Sequence, residues 1–133
     1  MENQKVSFEQ ALQQVGTELE KQFFSNPEAM ALCDKDDIAY KKLKVMIRHK
    51  NTDPATGLTW KADYHNRNYK WFPWAEVEAS KETPSGFGLS STGTLAYCGH
   101  TYTGVGVRLC TETEEMAEEV FEENKDLYID FWL

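Results

Sequence analysis

Lys70-Trp71-Phe72-Pro73-Trp74-Ala75-Glu76-Val77-Glu78-Ala79 is the stretch on which the fold turns. It is aromatic and apolar with almost no helix-forming rhythm, and this composition reads as a strand. Pro73 has no N–H to give to a ladder, so the strand is expected at an edge or a bulge. Outward toward the C-terminus, Ser85 to Ser91 and Thr94 to Tyr97 read as further short strands, punctuated by Gly86, Gly88, Gly93 and Gly99. Thr101 to Cys110 reads as a last strand carrying Gly104 and Gly106. Together these predict an antiparallel meander.

Outward in the other direction, Asn51 to Gly57 is a turn-rich connection, and helical signals precede it. Ser7-Phe8-Glu9-Gln10 fits a capping box, and Phe8, Ala11, Leu12, Val15, Leu19 and Phe23 follow at helical spacing. Gly16 is expected to weaken the middle of that helix by about 1 kcal/mol relative to Ala. Asn26 with Pro27 opens a second, short helix running to about Cys33. Asp36 or Asp37 opens a third, in which Ile38, Leu43, Met46 and Ile47 share one face and Lys41, Lys44 and Arg48 another.

After Cys110, Thr111 or Thr113 caps a final helix, and Thr111-Glu112-Thr113-Glu114 fits the capping-box pattern. Met116, Ala117, Val120, Phe121, Leu127, Tyr128 and Phe131 form its apolar stripe. The expected architecture is a single α+β domain over 1–133. Residues 1–50 form a helical part, 58–110 an antiparallel sheet of three to four strands, and 111–133 an acidic helix. The sheet packs on the C-terminal and N-terminal helices.

The net charge is −8, and the segment 112–130 alone accounts for it, with nine acids against Lys125. The rest of the chain is balanced. The acidity therefore belongs to one helix, and a general nucleic-acid binder would show a basic surface instead. No apolar run approaches the roughly 20 residues that span a membrane, so no membrane association is expected. The first residues lack the basic-then-apolar order of a secretory signal. Three cysteines, an odd number, read as reduced thiols of a cytoplasmic protein.

Several of these pieces occur together elsewhere. Trp60-Lys61-Ala62-Asp63-Tyr64, Lys70-Trp71-Phe72-Pro73-Trp74, Ser85-Gly86-Phe87-Gly88, Gly104-Val105-Gly106-Val107-Arg108-Leu109-Cys110, Glu114-Glu115-Met116-Ala117 and Asp126-Leu127-Tyr128-Ile129-Asp130-Phe131 form one ordered set. Over roughly residues 58–133 the chain resembles a widespread family of small, uncharacterised proteins of Bacteroidetes bacteria, their phages and mobile elements. Those proteins carry an aromatic-Pro-aromatic strand, a Ser-Gly-Phe segment, a Val-Gly-x-Arg-Leu-Cys strand and a helical tail. Val107 stands where they have Ser, and Thr111-Glu112-Thr113 where they have a more basic and aromatic lead-in. The resemblance implies a phage or mobile-element setting in a bacterial cytoplasm, and no particular activity.

The candidate sites each have a plainer competitor. Glu115, Glu118, Glu119 and Glu122 with Trp71 and Trp74 would bind a protein partner, the acids in the manner of a phosphate-backbone mimic. The competitor is a solubilising surface over a core. Lys41, Lys44, Arg48 and Arg108, extended by Lys42 and Lys50, would touch nucleic-acid phosphates while Trp60, Tyr64, Tyr69, Trp71 and Trp74 stack bases. The competitor is a solvated helix face, or one turned toward the acidic helix. Cys98, His100 and Cys110 would hold zinc, or Cys98 and His100 a thiol reaction, but no Cys-x-x-Cys pair and no third orienting group accompany them. No phosphate-cradling loop or dinucleotide fingerprint is present, and Asp53 to Gly57 has too few acids for a calcium loop. The expectation is a non-enzymatic accessory protein without a cofactor that binds a protein, possible inhibition included. The alternatives are a nucleic-acid-binding module and a small metal- or thiol-dependent enzyme.

Overall fold

The computed structural model describes residues 5–62, 70–79, 87–97 and 109–133, with the main chain alone at 74–78 and 87–97. In chain order the elements are α1 (Phe8–Val15), α2 (Glu18–Phe24), α3 (Pro27–Ala31), α4 (Lys35–Lys50), β1 (Lys70–Ala79), β2 (Phe87–Tyr97), α5 (Glu114–Glu123) and α6 (Lys125–Trp132).

This corrects the expected α+β fold. The protein is mostly helical, and the described residues hold one antiparallel pair of strands in place of a three- to four-stranded sheet. The helices also carry the core. Of the described buried apolar side chains, all but Pro73, Leu109 and Cys110 come from helices. The two short strands expected at 85–91 and 94–97, separated at Gly93, are one strand. Gly88 and Gly93 lie inside β2, which runs unbroken for 11 residues. Most of the expected last strand, 101–108, lies outside the described residues. Just past its far end, Thr111 forms an isolated bridge to Trp71.

β1 pairs with β2 from Lys70↔Tyr97 to Ala79↔Phe87, with a bulge between Glu76 and Val77. Trp71 exchanges both main-chain bonds with Thr111, at 3.1 and 2.7 Å, on the side away from β2. Main-chain directions alternate along a strand, so Pro73 also faces away from β2 and its missing N–H costs the β1–β2 ladder nothing.

α4 is the axis of the molecule. Its Leu43 and Ile47 pack with Leu109, Val120, Phe121 and Tyr128 beneath α5 and α6. On another side its Val45 and Met46 pack with Ala11 of α1. Burial on two sides explains why apolar residues of α4 are not confined to one stripe. Asn51, just past its end, is the joint to the rest of the chain. Its Nδ2 donates to the Cys110 carbonyl at 3.1 Å and its Oδ1 accepts from the Glu112 N–H at 3.2 Å. Its own carbonyl accepts from the Trp60 N–H at 2.9 Å.

Two expected helices are each divided. The N-terminal one stops at Gly16, and Thr17 caps α2 with Glu20 reaching back in a second capping box. The acidic one stops at Asn124, whose Nδ2 donates to the Val120 carbonyl at 2.9 Å before α6 begins. α5 starts at Thr113, whose side chain accepts from Met116, so the expected Thr111–Glu114 box does not form. Ser7 and Asn26–Pro27 cap as read, although α3 stops at Ala31.

Candidate functional site

The acids of α5 lie outward because Ala117, Val120 and Phe121 face the core. Glu112, Glu114, Glu115, Glu118, Glu119 and Glu122 are all exposed, and Glu123 is half-buried. Lys125 of α6 reaches Glu122 at 3.1 Å. Lys50, at the end of α4, reaches Glu119 at 3.1 Å and Glu123 at 3.2 Å. The basic and acidic helices thus face each other along one edge. Glu115 and Glu118 carry no ion pair among the described residues.

The basic stripe is engaged inside the molecule. Arg48 forks onto Glu20, with N–O distances of 2.6 and 3.2 Å, and also donates to the Val15 carbonyl at 3.1 Å. Lys41 sits over the Phe23 ring, Lys42 over Phe8 and Lys44 over Tyr40, each a little over 5 Å from the ring centre. Nearby, Lys35 of α4 meets Asp130 of α6 at 2.9 Å. Helix spacing put Lys41, Lys44 and Arg48 on one face, and α2 meets that face through Phe23 at Lys41 and Glu20 at Arg48, while Lys44 lies over Tyr40 of α4 itself.

The last turn of α4 therefore ties three elements together through three consecutive residues. Arg48 holds α2, His49 Nε2 lies 2.8 Å from Gln14 Oε1 of α1, and Lys50 holds α5. Burial, and then the neighbouring Lys50 charge, hold His49 below the ordinary imidazole value, with Glu123 opposing them. Burial pushes the Glu20 carboxyl up, but hydrogen bonds from Arg48 and the Thr17 N–H and the Arg48 charge together outweigh it. The net shift is downward. Sequence reasoning missed Glu20, His49 and Gln14. Thr17-x-x-Glu20 was the one available signal, a capping box hidden inside a longer apolar period.

Of the other candidates, Trp71 is half-buried and Trp74 lies in β1 opposite Gly93. Cys110 is buried, while Cys98, His100 and Arg108 lie outside the described residues, as do Tyr64 and Tyr69. Trp60 is half-buried, bonded through its N–H to Asn51. Asp34, Asp36 and Asp37 bring three carboxylates together at the start of α4, all exposed. Among the described residues no helix is long and apolar enough to cross a membrane.

Beside the acidic face a cleft of about 1140 Å³ opens between α5, the ends of α1 and α4, and the turn 52–59. Val15, Met46, Met116 and Val120 supply its apolar surface, and Asp53, Glu119 and Glu123 its acids. Comparison of the chain with protein-family models, with curated proteins and with solved structures finds no match in any of the three.

Proposed function

We propose that this chain is a non-enzymatic accessory protein that docks on a basic surface of a protein partner through the acidic face of α5. The reading is supported chiefly by how charge is sorted. Arg48 and Lys50 of α4 are engaged by Glu20, Glu119 and Glu123, and Lys41, Lys42 and Lys44 lie over aromatic rings. The outward row of α5 is left acidic, with Glu115 and Glu118 at its centre. Such a row steers a basic partner over distances near a Debye length, about 8–10 Å at ordinary salt. The same sorting weakens the nucleic-acid alternative, since Arg48 is paired with Glu20 and Lys41 and Lys44 lie over aromatic rings. Trp71 is at most half-available, so the acids carry the proposal rather than the ribbon. The phage or mobile-element setting implied by the family resemblance, in a bacterial cytoplasm, is part of this proposal.

The test is a tagged pull-down from a bacterial lysate, with and without nuclease, repeated with Glu115→Lys/Glu118→Lys. A protein retained by the parent chain after nuclease treatment, and lost with the double variant, is the expected result. Both substituted positions are exposed, so the circular dichroism of the variant should match that of the parent. Retention of the partner by a folded double variant would remove α5 as the docking face. Loss of partners on nuclease treatment would move the function to nucleic acid.

A further inference from the structure

The cleft beside α5 has the composition of a socket rather than of a surface depression. Met116 and Val15 are half-buried on its walls, above Met46 and Val120, which are buried. Unbranched, polarisable Met side chains adapt to the shape of an incoming apolar group. At about 1140 Å³ the cleft has ample room for one such group with its flanking main chain.

The charges around it are not balanced in what they present. Its cations are withdrawn: the Arg48 side chain is 30% exposed and committed to Glu20, and that of Lys50 is 19% exposed and committed to α5. Two of its three acids look out: Glu119 is 50% exposed although it binds Lys50, and Asp53 is exposed, while Glu123 is 23% exposed and held by Lys50. Asp53 is also fixed in place, its Oδ1 accepting from the Ala55 N–H at 2.9 Å. The cleft is therefore apolar within and acidic at the lip, and Glu119 makes that lip continuous with the outward row of α5.

We propose that the cleft receives a segment of the same protein partner in which an apolar side chain is flanked by Lys or Arg. The apolar group lies against Met116 and Val15, and the flanking cations meet Asp53, Glu119 and the α5 row. This rests on α5 being the docking face and adds to it a chemical description of the partner. Affinity then comes from one buried apolar anchor, and partner choice from the surrounding charge.

The probes are short synthetic peptides with Lys and Arg on both sides of a central Leu, and the same peptides with Ser in its place. They are titrated into the full chain labelled at its Met methyl groups. The Leu peptides should shift the Met116 and Met46 methyls, leave Met30 of α3 unmoved, and bind about tenfold more tightly than the Ser peptides. Met116→Gln should abolish that difference, while Glu118→Lys should weaken both peptides equally. Equal affinity of Leu and Ser peptides with no Met116 shift would overturn the socket and leave the α5 docking face standing. No binding of either peptide would overturn both. A Met116 shift that depends on the concentration of the chain alone would place a second copy in the cleft, and would also overturn the proposal.

Discussion

Glu20 shows how much a single side chain does when the helix around it has no fully buried residue. Such a helix, α2, is held by point contacts. Phe24 packs edge-on to Phe8 of α1 with ring centres 4.7 Å apart, and Glu20 binds both the Thr17 N–H and Arg48. The carboxylate caps its own helix and anchors it to α4 in one position, and its side chain is only 14% exposed. Glu20→Gln should cost roughly 1–2 kcal/mol at neutral pH, between an exposed ion pair and a buried charge-assisted bond. The pH dependence has a definite sign. The folded carboxyl titrates below its unfolded value of about 4.5. Its contribution is therefore complete above that value and is lost as pH falls through the folded one. Denaturant midpoints of parent and variant should differ by a constant amount above about pH 5 and converge under acid. A difference that persists unchanged at low pH would mean that Glu20 acts by shape and not by charge.

Gly16 makes the same point for elements. An apolar period runs from Phe8 to Phe23, and on periodicity alone the residue is a weak spot in one helix. The chain instead leaves α1 there in an extended conformation and restarts at Thr17. A Cβ on Gly16 would collide with the Leu12 carbonyl and come within 2.7 Å of Leu12 Cδ1. Gly16→Ala should therefore destabilise the protein by about 1–3 kcal/mol, the reverse of the gain a mid-helix site would give. A rise in thermal midpoint would restore the single-helix reading. Capping and strand chemistry were legible because they are local: Ser7, Asn26 with Pro27, and β1 at 70–79 all formed where their residues placed them. The divisions at Gly16 and Asn124 were not, because the apolar period continues across each break. Nor was the fold class, because Gly93 reads as a break between two strands in a segment that forms one strand against β1. Within the site, the acids of α5 were legible from charge alone. Their edge contact with Lys50, and the contacts of Lys41 with Phe23 and of Arg48 with Glu20, depended on packing between distant segments.

Over the whole molecule, charge is placed where it harms the fold and where the proposed docking would use it. Glu114 and Glu115 lie in the first turn of α5, where the helix N-terminus favours them. Glu118, Glu119, Glu122 and Glu123 lie beyond it, and the last turn of the helix has no basic residue. Four-residue spacing sets Glu114 against Glu118, Glu115 against Glu119, Glu118 against Glu122 and Glu119 against Glu123, each pair unfavourable by a few tenths of a kcal/mol. Lys50 and Lys125 relieve Glu119, Glu122 and Glu123. Glu118 has no such relief among the described residues, and a surface chosen for stability alone would not keep it. Glu118→Lys turns two like-charge pairs into attractive ones and should stabilise the fold by about 1 kcal/mol, raising the thermal midpoint by a few degrees. The gain should shrink in roughly molar salt, where exposed charges are screened within about 3 Å. The same substitution should weaken partner binding. Stability and binding moving in opposite directions would mark Glu118 as kept for docking. If both fall together, the residue supports the fold through a contact of its own, and the acidic row loses its central member as a binding group.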